Sequence, residues 1–520
     1  MTEVAAERAR LTGISLVALL AVGIAFRNLA GASFTGDDWH FLALLRHIDS
    51  PWDIFNSNIA ASYFHRPVAL SLFWLTVDMF GTNAMAHYAV NLALHSWVAI
   101  EVCAFANLLS ANRRTSMWIA VVFLVYPATA ATPLWISDRF DLLATALMLC
   151  SLRFMAQFLL QTAARRDRWL LSIAAATLAL GSKEIAFALI PSLLLLLTLC
   201  KQKPARQRLM LAGTILLIAA LMLLNRRFAL GQWAGHTTDG IKVAAVVEGA
   251  ALWFVRLPEV LQTHGGLKAL AVVAAVGLLD CLITLFAPKR TFVAAPNARH
   301  TVLILLALAL LAAGVIASQS PIVVDALSAK NPALVTVSLR FFYAPLAIAF
   351  IFLAFALASI DAKIKARLTA NNASTARPQR IYAWLWQLSW LTAVSCCALG
   401  SAEQTRQWSD HTRAEKNQAA APLDEYARTA NREAGNRPCL VALQTTASAL
   451  TDLDLRFKAN LPTSDPRINC ALLTQPPQVQ TITRIADCSV AAMLPARSSV
   501  ATLEPIRRSG TCTHFFLTRH

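Results

Sequence analysis

Residues 11–45 read LTGISLVALLAVGIAFRNLAGASFTGDDWHFLALL, an uncharged run from Leu11 to Phe26 followed closely by two adjacent carboxylates, Asp37 and Asp38. A helix over that run rises roughly 24 Å, close to the ~30 Å hydrocarbon slab, and only structures that satisfy their own backbone hydrogen bonds cross lipid. The run therefore reads as a membrane span. Two carboxylates just beyond it, in a chain that otherwise avoids charge, need a reason.

The pattern repeats along the chain. Of 520 residues, 57% are hydrophobic and 14% charged, and the apolar residues collect in runs of about 16 to 20, the length of membrane helices. The expected fold class is a polytopic α-helical membrane protein with about eleven spans. These fall near residues 11–26, 87–109, 117–132, 142–160, 169–180, 185–200, 209–224, 269–286, 301–318, 341–360 and 382–399. The tail MTEVAAERAR and the small residues AGAS resemble a secretory leader and its cleavage site. Arg27 intrudes between the apolar core and those small residues, so the first span is expected to stay uncleaved.

Charge sets the orientation. With the stretch VAAVVEGAALWFVRLPEVL (243–261) left on the outer face, the N-terminal tail and the cytoplasmic loops hold 19 Lys or Arg against 4 acidic residues. The outer connections hold 12 of each. This is the positive-inside pattern; a spanning 243–261 would turn the richest basic loops outward. That stretch also carries Glu248, Arg256, Pro258 and Glu259, so an interfacial helix is expected there. The net charge of +17 is thereby mostly a topology signal and calls for no nucleic-acid partner. The N-terminus is expected in the cytoplasm, with Asp37 and Asp38 outside.

Residues 403–520 change character: they are polar, contain turns such as LPTSDPR and carry short strand-like runs such as CLVALQ. The expected organisation is a membrane domain, 1–402, and a small soluble α/β or mixed domain, 403–520. Six cysteines lie in or beside spans, where a thiol acts as a small apolar group, whereas Cys439, Cys470, Cys488 and Cys512 all fall in the tail. In an oxidising compartment these four suggest two disulfides, with three connectivities open. Their spacing lacks the close pairs of a zinc site.

The first outer loop, 27–86, is too long for a simple connector and reads as short interfacial helices, for example HRPVALSLFWLTVDMFG. A second outer loop, YPATAATPLWISDRFDLLAT (126–145), adds Asp138, Arg139 and Asp141. A third, LGSKEIAF (180–187), adds Lys183 and Glu184. Ionisable groups beside lipid are functional candidates because exposing them to hydrocarbon costs several kcal/mol. Within the second span His87, Asn91 and His95 recur every four residues on one helix face, which suits interhelical hydrogen bonds or donor contact.

The ordered blocks GDD, RPVALSLFWLTVDMFGTNAMAHYAVNLALH, YPATAATPLWISDRFDLLAT, LALGSKEIAFALIP, RFFYAPL and RQWSD resemble membrane glycosyltransferases of the C-type fold. The resemblance covers roughly residues 10 to 410. It is nearest to bacterial relatives of the tetratricopeptide-bearing ER O-mannosyltransferases and more distant to protein O-mannosyltransferases and the lipid A aminoarabinose transferase. It implies an enzyme that moves a sugar, with inversion, from a polyprenyl-phosphate donor to a protein, lipid or surface-glycan acceptor. On this reading Asp37, or its neighbour Asp38, is the general base, and Arg139, Lys183, Arg66 and Arg340 meet the donor phosphate. Asp138, Glu184, His65, His87 and Asn91 are the expected substrate-binding set. The implied location is a bacterial inner membrane with a periplasmic C-terminal domain, membrane lipid and the lipid-linked sugar being its partners.

Two departures stand out. The tail shows no 34-residue repeat, and the block before the late span reads RFFY. No cofactor is identified and metal dependence is left open, since one carboxylate pair makes no divalent site. Two other classes compete with the enzyme: a transporter or flippase for a lipid-linked glycan, and an inactive scaffold of an envelope-glycan assembly complex. Glu101 and Asp280 inside spans would suit a proton path, but they stand isolated and repeat-related broken helices are absent from the pattern. Outer carboxylates together with phosphate-sized cations favour the enzyme.

Overall fold

The structure is a computed structural model and describes residues 3–45, 48, 50–56, 65–160, 167–200, 202–231, 298–328, 339–371, 377–433, 440–441, 484–485, 502–509 and 512–518. Among the described residues six helices are long and apolar enough to cross a membrane: Ala9–Gly31, Ala84–Ser110, Ile136–Leu160, Ala205–Leu230, Thr301–Gln319 and Arg340–Lys365. They coincide with six expected spans, and the chain is a polytopic α-helical membrane protein. The stretch expected to span at 117–132 is broken instead. Arg113–Val125 and Pro127–Leu134 meet at Tyr126 with a bend of 55°. Tyr126 is extended, as the residue before a proline tends to be, and Pro127 opens the next helix where its missing N–H costs nothing.

The runs at 169–180 and 185–200 form shorter helices, Asp167–Leu180 and, after a 3-10 turn Glu184–Ala188, Leu189–Leu199. The run at 382–399 lies within one 57-residue helix, Arg377–Glu433, which continues through position 402/403. The expected span at 269–286 and the interfacial stretch 243–261 lie outside the described residues. In the segment 27–86, expected to lie outside, a 3-10 turn Arg27–Gly31 precedes the helices Asp37–Leu45, Pro51–Asn56 and Pro67–Phe80.

The chain divides into two compact units. The first comprises Met1–Ala30, Ile54–Ser71 and Tyr88–Trp408. The break at Tyr126 leaves helix-end carbonyls without intrahelical partners, and side chains supply them. Thr129 Oγ1 donates to Phe123 O, His95 Nε2 to Leu124 O at 3.1 Å, and Ser401 Oγ to Val125 O at 2.8 Å. Because a carbonyl only accepts, His95 carries its proton on Nε2, and its Nδ1 accepts from the Tyr343 hydroxyl at 2.7 Å. Thr405 Oγ1 donates to Ala25 O, and Asn28 Nδ2 to Ala402 O, fastening the long helix to the end of the first span.

Two buried polar knots hold this unit further. Glu101 and Arg153 form a two-pronged pair at 2.6 and 2.9 Å between two spans, each group supplying the partner that lipid cannot. Asp361 accepts from Asn112, Lys365 and Tyr382, tying three helices. Gly314 lies against the 3-10 turn after Lys183: a Cβ there would sit 2.7 Å from Ala188 Cβ, so the small residue permits the approach.

The second unit comprises Gly31–Asp53, Leu72–His87 and Ser409–His520. Trp74 Nε1 donates to Ile48 O at 2.8 Å, and Phe41 packs on Phe73. Its described strands form two antiparallel pairs. Leu440–Val441 pairs with Arg484–Ile485, and Thr502–Ser509 pairs with Cys512–Thr518 across an irregularity between Pro505 and Arg507. Cys512 opens a strand; Cys439, Cys470 and Cys488 lie outside the described residues, and with them the expected disulfides.

Candidate functional site

The helix Asp167–Leu180 ends at Gly181, against which the start of Pro67–Phe80 is laid. Val68 N–H donates to Gly181 O at 2.9 Å, and a Cβ on Gly181 would sit 2.5 Å from Val68 Cγ2. The missing side chain thus lets Arg66 reach the turn. Lys183 follows in extended conformation, buried and ion-paired with Asp141 from the first turn of Arg139–Leu160.

Glu184, the next residue, is gripped on both oxygens. Arg66 donates to Oε2 at 2.8 Å and Arg226, from the last turns of Ala205–Leu230, to Oε1 at 2.8 Å. Arg340 pairs with Asp138 at 3.3 Å and lies over the Trp135 ring at 4.4 Å, while Arg66 lies over Phe140. Arg139 is fully buried, its Nε donating to Ile136 O at 3.2 Å. His65 accepts at Nε2 from Asn225 Nδ2 at 2.8 Å.

Four cations, Arg66, Lys183, Arg226 and Arg340, are thereby drawn from distant parts of the chain onto three carboxylates, Asp138, Asp141 and Glu184, with Arg139 buried beside Asp138 in sequence. The positive surplus suits an anion. Burial lowers the Lys183 pKa, with Arg66 and Arg340 adding to the effect against Asp141. Burial and the Arg226 charge push His65 down to about 4, so its imidazole is neutral at pH 7.

Burial alone would raise the Glu184 carboxyl, but Arg66 and Arg226 outweigh it and hold it at about 2. A depressed carboxylate contributes stability that is present above its unfolded value, ~4.3, and is lost as pH falls through the folded one. The stability difference between wild type and Glu184→Gln is therefore expected to stay flat from about pH 5 to 9 and to shrink only below about pH 4. Thermal unfolding in detergent across pH measures it.

Of the sequence candidates, Arg66, Arg139, Lys183, Arg340, Asp138, Glu184 and His65 gather in this cluster's unit. Asn91 belongs to the same unit and spends its amide on the chain: Nδ2 donates to the Trp135 and Ile136 carbonyls at 2.9 and 3.2 Å. Arg226, Asn225 and Trp135 were not singled out by sequence reasoning. The vicinal Arg226–Arg227 at the end of a span expected to face outward runs against the positive-inside pattern, and that was the available signal.

The carboxylate pair and His87 belong to the second unit. Gly36 adopts a positive φ of 48° and turns the chain into Asp37–Leu45. Asp38 is fully buried and its Oδ2 accepts the Thr35 N–H at 3.2 Å, reaching back across the helix start as an internal brace. Asp37 is exposed. The two neighbours thus have different environments, one engaged in the fold and one open to solvent. His87 is caged by Phe34, Phe73 and Phe80 at 5.4, 5.9 and 6.1 Å and donates from Nε2 to Gly81 O. Among the described residues no three His, Cys, Asp or Glu side chains group as metal ligands.

No family model matches the sequence, and a search of curated proteins gives no match. Solved structures similar to the chain include ArnT from Cupriavidus metallidurans, in the apo state and bound to undecaprenyl phosphate. The apo form has a TM-score of 0.47 at 16% identity over 90% of this chain and 86% of that one; the bound form has a TM-score of 0.47 at 15% identity, over 89% and 86%. The archaeal oligosaccharyltransferase AglB from Archaeoglobus fulgidus, in complex with an inhibitory peptide and a dolichol-phosphate, is similar at a TM-score of 0.43 and 13% identity, over 77% of this chain and 56% of that one.

Proposed function

We propose that the chain is an inverting glycosyltransferase of a bacterial inner membrane, moving a sugar from a polyprenyl-phosphate donor to a protein, lipid or surface-glycan acceptor on the periplasmic side. The observation that carries this reading is the cluster of Arg66, Lys183, Arg226 and Arg340, buried at Lys183 and Arg226 and half-buried at Arg66 and Arg340, in a protein of many spans. Cations held in place by carboxylates, and exceeding them in number, suit a phosphate whose charge grows as it leaves. Spans provide a setting for an isoprenoid tail. Residues 1–402 are proposed to carry the transferase and 403–520 to form the periplasmic domain.

The role of Asp37 rests on the family resemblance and on its exposure. Its carboxylate takes the proton of the acceptor group while the acceptor atom attacks the anomeric carbon, and the bond from that carbon to the phosphate oxygen breaks with its electron pair going to the phosphate. A single in-line step inverts the configuration. Lys183 and Arg340 meet the phosphate; Glu184 and Asp138 keep Arg66, Arg226 and Arg340 in place.

Undecaprenyl phosphate tests the donor half without catalysis. Ligand that binds only the folded protein stabilises it, by about 2.7 kcal/mol at a hundredfold excess over Kd. Undecaprenyl phosphate is expected to raise the unfolding temperature of the detergent-purified protein well beyond any effect of undecaprenol, and Arg340→Gln to diminish that difference. Equal shifts with the phosphate and the alcohol would remove the phosphate site.

A further inference from the structure

Asp37 stands on a turn whose other fastenings come from unexpected places. From within, Asp38 Oδ2 accepts the Thr35 N–H and Trp39 Nε1 donates to Phe34 O at 3.1 Å. The Phe34 ring packs on Trp39 at 5.2 Å and on His87 at 5.4 Å. From behind, the turn is tied to the long helix. The Ser33 N–H donates to Thr412 Oγ1 at 3.1 Å, a buried bond between residues 379 positions apart. Thr412 is fully buried and its own hydroxyl donates to Ser409 O. Gly31 makes room for this contact: a Cβ there would run into the Arg413 guanidinium and lie 3.2 Å from Ser409 Oγ.

We propose that Thr412 is a positioning residue for the reaction, its hydroxyl setting through Ser33 the height and orientation of the turn that presents Asp37. This rests on the reading of Asp37 as the base. A general base acts only within hydrogen-bond reach of its proton, and a displacement of about 1 Å costs on the order of a hundredfold in rate. The packed rings and Asp38 shape the turn internally, and the bond to the helix 379 residues away holds it against the part of that helix in the same unit. The long helix thereby belongs to the reaction geometry as well as to the fold.

The test compares Thr412→Val, Thr412→Ser and Thr405→Val in lipid-reconstituted protein, with Asp37→Asn alongside. Thr405 lies on the same helix, is equally buried and makes a comparable hydroxyl bond to Ala25 O, away from the turn. Thr412→Val is expected to lower kcat roughly 10- to 100-fold with the donor KM unchanged, and to speed hydrogen exchange at amides 33–38. Thr412→Ser restores both, whereas Thr405→Val lowers stability and leaves kcat within about twofold. Wild-type kcat and exchange in Thr412→Val, or equal kcat losses in the two valine variants, would overturn the proposal. Transfer that survives Asp37→Asn would instead overturn the base reading and the positioning role with it. Loss in Asp37→Asn but not in Thr412→Val overturns the positioning role alone.

Discussion

Asp37→Asn is expected to lower sugar transfer by about 10²- to 10⁴-fold while leaving the protein folded and still able to bind polyprenyl phosphate. The amide has nearly the size of the carboxylate but cannot take the acceptor's proton. Because Asp37 is exposed at the start of Asp37–Leu45, the substitution disturbs no buried contact. Asp38→Asn is the informative companion. Its carbonyl oxygen still accepts from Thr35 N–H, so a modest stability loss and transfer within about tenfold of wild type are expected. Initial rates with one labelled donor, on protein matched for monodispersity and lipid content, separate the two. A larger rate loss at Asp38 than at Asp37 would exchange their roles.

The second large effect is at Lys183. Removing its ammonium leaves Asp141 buried without its counter-charge, and such broken pairs cost about 3–5 kcal/mol, so Lys183→Met is expected to unfold at markedly lower denaturant as well as to lose transfer. The double variant Lys183→Met/Asp141→Leu removes both charges and is expected to regain much of that stability, since apolar replacements of buried pairs are often neutral. It should not regain transfer. Recovery of transfer in the double variant would make Lys183 a purely structural partner of Asp141. Because burial lowers the Lys183 pKa, its positive charge is lost at lower pH than for an ordinary lysine. Donor binding should accordingly weaken on the alkaline side before the usual lysine range is reached.

The spans were legible because lipid imposes a length and forbids charge: Leu11–Phe26 and the run at 301–318 reappear as long helices with small shifts at their ends. The break at Tyr126 was less so. Pro127 stood in plain view, but the apolar run continues through it, and a hydropathy pattern does not record that the Phe123, Leu124 and Val125 carbonyls find side-chain partners. At the site, charge in the wrong medium pointed to Arg66, Lys183, Glu184 and Arg340. Pairing was beyond reach: Glu184 meets Arg66 across 118 positions and Arg226 across 42, separations that no local spacing encodes. Arg226 hid at the end of an apolar helix, where an arginine reads as an interfacial anchor. Asp37 and Asp38 look alike in sequence, and only the turn at Gly36 decides which one faces inward.

Transfer is measured most directly as release of radiolabelled sugar from polyprenyl-phosphate donors by purified protein in lipid with an envelope extract as acceptor, wild type against Asp37→Asn. Label is expected to leave the carrier and enter a new product with wild type alone. Carrier-bound label left untouched by the wild type, across all donors offered, would rule out the transferase.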